Sequence, residues 1–157
     1  LFRNVDGKKF EEVLPATGSG LADVIPARGA AFGDLFNDGH VDVVLNNMDS
    51  APTLLRNVFH NANHWIEFHL IGGPRSPRDA VGAKIFLTAG GFRQRQDVIA
   101  GSSYGSSNDP RLHFGLGAAA KIDKVEIHWP DSQIEFVSPP AVDRIFTVTE
   151  GKGISVK

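Results

Sequence analysis

The residues best able to do chemistry lie in the segment Gly33 to Asn47, GDLFNDGHVDVVLNN. Asp34, Asp38 and Asp42 recur every fourth residue, and Gly39 stands where a sharp bend is required. A hard cation such as calcium takes roughly six to eight oxygens, and a tight loop can bring carboxylates and a backbone carbonyl to one centre. Asp34, Asp38 and Asp42, with the His40 carbonyl, are therefore the candidate calcium ligands. An EF-hand is excluded, because Leu45 stands where that loop closes on glutamate and the segment runs into a strand rather than a helix. Phe36 brings no oxygen to the third loop position, so calcium affinity is expected to be weak or lost. The alternative for the same carboxylates is to accept hydrogen bonds from the loop's own amides, with Gly39 left-handed.

Other patterns carry weaker chemistry. Gly101-Ser102-Ser103-Tyr104-Gly105 matches the G-x-S-x-G of a nucleophile elbow, with Asp109 and His113 downstream in the order serine, aspartate, histidine. That elbow requires a helix after the serine, and Gly105, Asn108, Pro110 and the strand-like run from Arg111 forbid one. A serine hydrolase using Ser103, or a carbohydrate-active accessory domain, is thus the alternative function, and a loop joining two strands is the favoured reading of this segment. His60, His64 and His69 suggest a metal site, but His69 is expected on the solvent side of a strand, which favours surface histidines. Gly72-Gly73 and Gly90-Gly91 lack the lysine, serine and helix start of a phosphate loop. Arg93 and Arg95 alternate along one strand and Arg75 and Arg78 sit in a proline-rich loop, as a solvated face or as a site for acidic glycans.

Short runs rich in valine, isoleucine and phenylalanine between turn signals must position these groups, and they predict an all-β chain. The expected strands are Val41 to Asn47, Thr53 to Val58, Trp65 to Ile71, Ala83 to Ala89, Arg93 to Ile99, Arg111 to Phe114, Lys124 to Trp129, Ile134 to Val137 and Arg144 to Thr149. Within Trp65 to Ile71, alternation puts Ile66, Phe68 and Leu70 on a core face and Glu67 and His69 on a water face. Gly90-Gly91 and Pro130-Asp131-Ser132 predict tight turns between antiparallel neighbours. Gly18 to Arg28 reads as a loop. The expected core is Ile66, Phe68, Leu70, Ile85, Leu87, Val98, Phe114, Leu116, Val125, Ile127, Trp129, Phe136 and Val148.

The motif LFRN at Leu1 to Asn4 returns as LLRN at Leu54 to Asn57, a spacing near the roughly 40–50 residues of propeller repeats. The aspartate loop, with Ala30-Ala31-Phe32-Gly33 before it and Val41 to Leu45 after it, resembles the FG-GAP (VCBS-like) calcium-loop repeat of propellers. Asn63-His64-Trp65-Ile66, Val81-Gly82-Ala83-Lys84-Ile85, Arg111 to Gly117 (RLHFGLG) and Val125 to Pro130 (VEIHWP) resemble the ASPIC/UnbV domain. The chain departs from that pattern at Asp131-Ser132, where the family often has Ser-Gly. Together the two halves resemble cartilage acidic protein-like secreted propeller proteins. The expectation is a partial β-propeller blade over residues 1–62, followed by an antiparallel β-sandwich or barrel-like domain over 63–157.

Basic and acidic residues are interspersed and the formal net charge is only −2, so nothing tracks a nucleic-acid backbone. No apolar run is long enough to span a bilayer. The chain contains no cysteine, which removes disulfides, zinc-thiolate sites and thiol nucleophiles. It opens at Leu1 without a methionine or signal peptide and is expected to be a piece of a longer protein. The resemblance implies a secreted or periplasmic, non-enzymatic binding module, whose partner is an extracellular protein or glycan. A lone blade exposes strand edges, so this part is expected to meet the remaining propeller blades, the second domain or another copy of the chain.

Overall fold

A computed structural model describes residues 2–5, 7–13 and 20–155 as an all-β protein. Its larger part is a sandwich of two four-stranded sheets. One sheet has the order β11 (Ile134–Val137), β10 (Lys124–His128), β7 (Lys84–Ala89), β8 (Phe92–Asp97). The other has the order β13 (Gly153–Ser155), β12 (Arg144–Thr149), β6 (His64–Ile71), β9 (Leu112–Gly117). The expected sandwich is present, with one addition: β12 runs parallel to β6, pairing Arg144 with Ile66 and Thr149 with Ile71. Among the described residues all other strand pairings are antiparallel.

Alternation builds the core. Ile66, Phe68 and Leu70 of β6 meet Ile85 and Leu87 of β7, Phe114 of β9, Val125 and Ile127 of β10, and Phe146 and Val148 of β12 in one buried cluster. Gly90 and Gly91 take φ of 56° and 81° and close the β7–β8 hairpin, the left-handed geometry that a two-residue turn requires. At the next turn Ser132 donates to the Trp129 carbonyl and Asp131 accepts from the Gln133 amide.

Phe136 corrects the expected core, for it is 62% exposed. The register sets it opposite Glu126 on the outer face, beneath the Lys124 ammonium, while Val137 turns inward. Phe146, absent from the expected core, is fully buried against Phe68.

The smaller part is a three-stranded antiparallel meander, β3 (Ala27–Gly33), β4 (Asp42–Asn47) and β5 (Thr53–Leu55). Its register lines Phe32, Val43 and Leu55 on one face and Ala31, Val44 and Leu54 on the other. Apolar side chains on both faces are the mark of a strand set covered from two sides. Phe32 and Leu54, on opposite faces, are each about half exposed. A separate hairpin joins β1 (Phe2–Val5) to β2 (Lys9–Glu12). The first residue of the LFRN motif and residues 18–19 of the expected loop lie outside the described residues, and a single 3-10 turn forms at Gly20–Ala22. Among the described residues the strands close neither a barrel nor a propeller.

Candidate functional site

The aspartate segment folds as a tight turn between β3 and β4, and its carboxylates serve its own backbone. Asp34, 1% exposed, accepts hydrogen bonds from the amides of Asp38 (3.1 Å) and Gly39 (2.8 Å). Asp42, also 1% exposed, accepts from the amides of Leu35 (3.2 Å) and Asn57 (2.8 Å). Asp38 accepts from the His40 amide and ring, and from Arg56. Desolvation pushes Asp38 up, but His40 and Arg56 outweigh it and hold the carboxyl below its ordinary value. All three side chains are thus engaged by N–H donors. Phe36, without an oxygen, lies under the Arg56 guanidinium at 4.1 Å. The carboxylates thus already share their acceptor sites with backbone amides, and Phe36 adds no oxygen to the turn.

The turn docks on the outer face of the sheet that holds β6 and β9. Arg111 is the clamp. Its guanidinium donates to the Asp34 carbonyl (2.7 Å) and the Asn37 side chain (2.6 Å) across the junction. On its own side it is paired to Asp109 and stands 3.3 Å from Glu67. Asp109 in turn donates its amide to the Phe32 carbonyl, and Asn108 accepts from the Phe32 amide. His113 Nε2 lies 3.0 Å from the Gly39 carbonyl and its ring stacks on Trp65. Gly39 has φ +84°, and a Cβ there would come within 2.2 Å of the Trp65 ring. No other residue fits so close to the indole while left-handed.

This docking overturns the expected water face of β6. Glu67 is 1% exposed, because the turn and Arg111 cover it, whereas His69 remains exposed. Desolvation pushes the Glu67 carboxyl from 4.5 to about 7, against the pull of Arg111 and with Asp109 and Asp34 adding to the rise. Its Oε2 is buried without a hydrogen-bond partner among the described residues. Burial likewise pushes His113 below its ordinary value. Periodicity alone could not reveal the Glu67–Arg111 pair, since a covered polar face and a wet one alternate alike. The signal available was their shared side: Glu67 pairs with His113 of β9, and Arg111, just before that strand, has the parity of His113.

The hydrolase constellation is not assembled. Asp109 is bound to Arg111 and His113 to the Gly39 carbonyl, while Ser103 sits in an exposed turn bridged to Ser106. The Gly101–Gly105 loop has no helix after it and packs against β3, where a Cβ on Gly29 would meet the Tyr104 carbonyl at 2.9 Å. Arg95 is bidentate to Asp97, and Arg93 lies over the Phe86 ring. Arg75 pairs with Asp131 and Arg78 with Asp79.

Beside the docked turn opens a cleft of about 580 Å³. Four of the chain's six histidines line it, His40, His60, His64 and His113, together with Trp65 and a run of asparagines. His69 is not among them. Among the described residues no three histidine or carboxylate groups are placed to hold a metal ion. Nor, among the described residues, is any helix long and apolar enough to cross a membrane.

Comparison with curated proteins gives no match. Residues 73–155, more than half of the chain, match the family described as ASPIC and UnbV. The match begins just after β6, yet β6 is an interior strand of the sandwich, flanked by β9 and β12.

Proposed function

Because the chain belongs to the ASPIC and UnbV family, whose domains are non-catalytic and of an extracellular type, we propose that it works as a secreted or periplasmic interaction module. Its partner is an extracellular protein or glycan, and its β3–β5 meander serves as one FG-GAP-like blade beside the remaining blades of a larger propeller. The observation that carries this reading is the junction itself. Asp109 and His113, the groups that would serve a Ser103 nucleophile, are spent on holding the meander to the sandwich, and the same docking opens a preformed polar cleft. Preformed concave sites with a few fixed polar groups are the usual form of a binding site.

In this reading the aspartate turn is a docking element held by amides, and calcium is not needed to shape it. The apolar residues on both faces of the meander support cover by neighbouring blades or by a second copy. The test pairs two experiments. Immobilised protein is assayed for saturable binding to matrix proteins and glycans, which the module reading requires. The protein is also treated with a serine-reactive fluorophosphonate; labelling that Ser103→Ala abolishes overturns the non-enzymatic reading.

A further inference from the structure

We infer that the cleft between the docked turn and the end of the sandwich where β6 pairs with β9 binds an uncharged sugar unit of a glycan, a step that rests on the module reading above. Its lining excludes other ligand classes in turn. Among the residues that line it there is no lysine or arginine, while Asp38 and Asp143 are both present. Phosphate, sulfate and carboxylate groups would meet like charge there without a partner. A metal ion would find no three suitable groups among the described residues. A wholly apolar ligand would bury the amides of Asn57, Asn61 and Asn63 against carbon, which is costly when they lose their water.

What the cleft does offer is a balanced set of donors and acceptors. His40 Nδ1 lies 3.0 Å from Asp38 and His64 Nδ1 lies 2.7 Å from Asp143. A carboxylate only accepts, so each histidine turns its Nδ1–H to it and leaves Nε2 to hydrogen-bond a ligand. Each ring is therefore held in one orientation before any ligand arrives. The Asn57 and Asn61 side-chain carbonyls accept from the Phe59 (3.1 Å) and Asn63 (2.8 Å) amides, which fixes those side chains and leaves their NH2 groups as donors to the hydroxyls of a sugar ring. Phe59, 68% exposed at the rim, and the His60 ring, edge-on to His40 at 5.5 Å, give the apolar patch for a sugar face. The volume of about 580 Å³ falls within the roughly 300–1,000 Å³ of small-ligand sites.

The test uses the whole chain against an array of neutral, sialylated and sulfated oligosaccharides, with affinities then measured by calorimetry. Neutral sugars are expected to bind, and the double variant His60→Ala/Asn63→Ala to weaken them at least about tenfold with its melting temperature unchanged. Both positions are exposed. Arg93→Ala/Arg95→Ala, on the opposite sheet, is expected to leave neutral-sugar binding as it was. Selective binding of sulfated or sialylated sugars, loss with the arginine variant instead, or no binding of any sugar each overturns the assignment. A second arm distinguishes the source, comparing free oligosaccharide with the same sugar on a glycoprotein carrier. If sugars fail but a matrix protein binds saturably, the module reading stands and only the ligand class falls.

Discussion

Replacing Glu67 by glutamine isolates the proton held at the junction. In the folded chain desolvation raises the Glu67 carboxyl from 4.5 to about 7, so between those values the native state holds a proton that the unfolded chain has released. A group raised on folding contributes stability that is complete below its unfolded value and lost as pH climbs through its folded value. At about 1.36 kcal/mol per tenfold change, the contribution lost between pH 4.5 and pH 7 is at most roughly 3 kcal/mol. For a chain of this size that corresponds to about 6–12 °C in melting temperature. Glutamine fills nearly the same volume and does not titrate. The melting temperature of the parent minus that of Glu67→Gln should therefore fall steadily from pH 5 to pH 8 in buffers of equal ionic strength. The other groups near Glu67, namely Arg111, Asp109, Asp34 and His113, are common to both proteins and cancel in the difference. A flat difference, or one that rises with pH, would refute the reasoning and show the ion pair with Arg111 outweighing burial.

Gly39→Ala should destabilise the chain by about 2–4 kcal/mol in urea denaturation, since it adds a left-handed alanine and an overpacked contact on Trp65. Phe146→Ala should cost about 3–5 kcal/mol, whereas Phe136→Ala, on the exposed face, should stay within about 1 kcal/mol by the same assay. Adding calcium at about a millimolar to metal-stripped protein should leave the melting temperature unchanged, because the Asp34 and Asp42 carboxylates already accept from loop amides. A rise of several degrees, lost in Asp38→Ala, would mean that the turn re-forms around the ion.

The strands were legible wherever one face is apolar and the other is not. In β6, β7 and β10 the alternation places the core residues, while in β12 Val148 was placed and Phe146, on the same face, was missed; the two turns follow from glycine and proline chemistry. Legibility failed where a second layer changes what the polar face meets. Glu67 and His69 have the same parity on one strand, yet only Glu67 is covered, by a turn some thirty residues earlier in the chain. Phe136 failed for the opposite reason: on a short edge strand with apolar residues at Ile134, Phe136 and Val137, composition does not set the parity, and pairing with β10 does. β3 was hidden because Ala27 to Gly33 is dominated by alanine and glycine, which carry almost no strand signal. The aspartates were found as a turn, but their partner Arg111 lies far along the chain, and no local pattern connects them.

The parallel pairing of β6 with β12 also sets an order of events during synthesis. β6 emerges from the ribosome long before the strand that must lie beside it, and Ile66 waits for Arg144. Until then one flank of its hydrogen-bonding groups is open, and the buried side of Phe68 lacks Phe146. Such distant pairings are slow to form and leave the nascent chain prone to association. The turn carrying Asp34 and Gly39 is made still earlier, and it can settle on the sandwich only after Arg111 and His113 have arrived. The sheet is therefore expected to close well after β6 has left the ribosome, once the chain has been made as far as β12, and the cleft appears only when that sheet can support it.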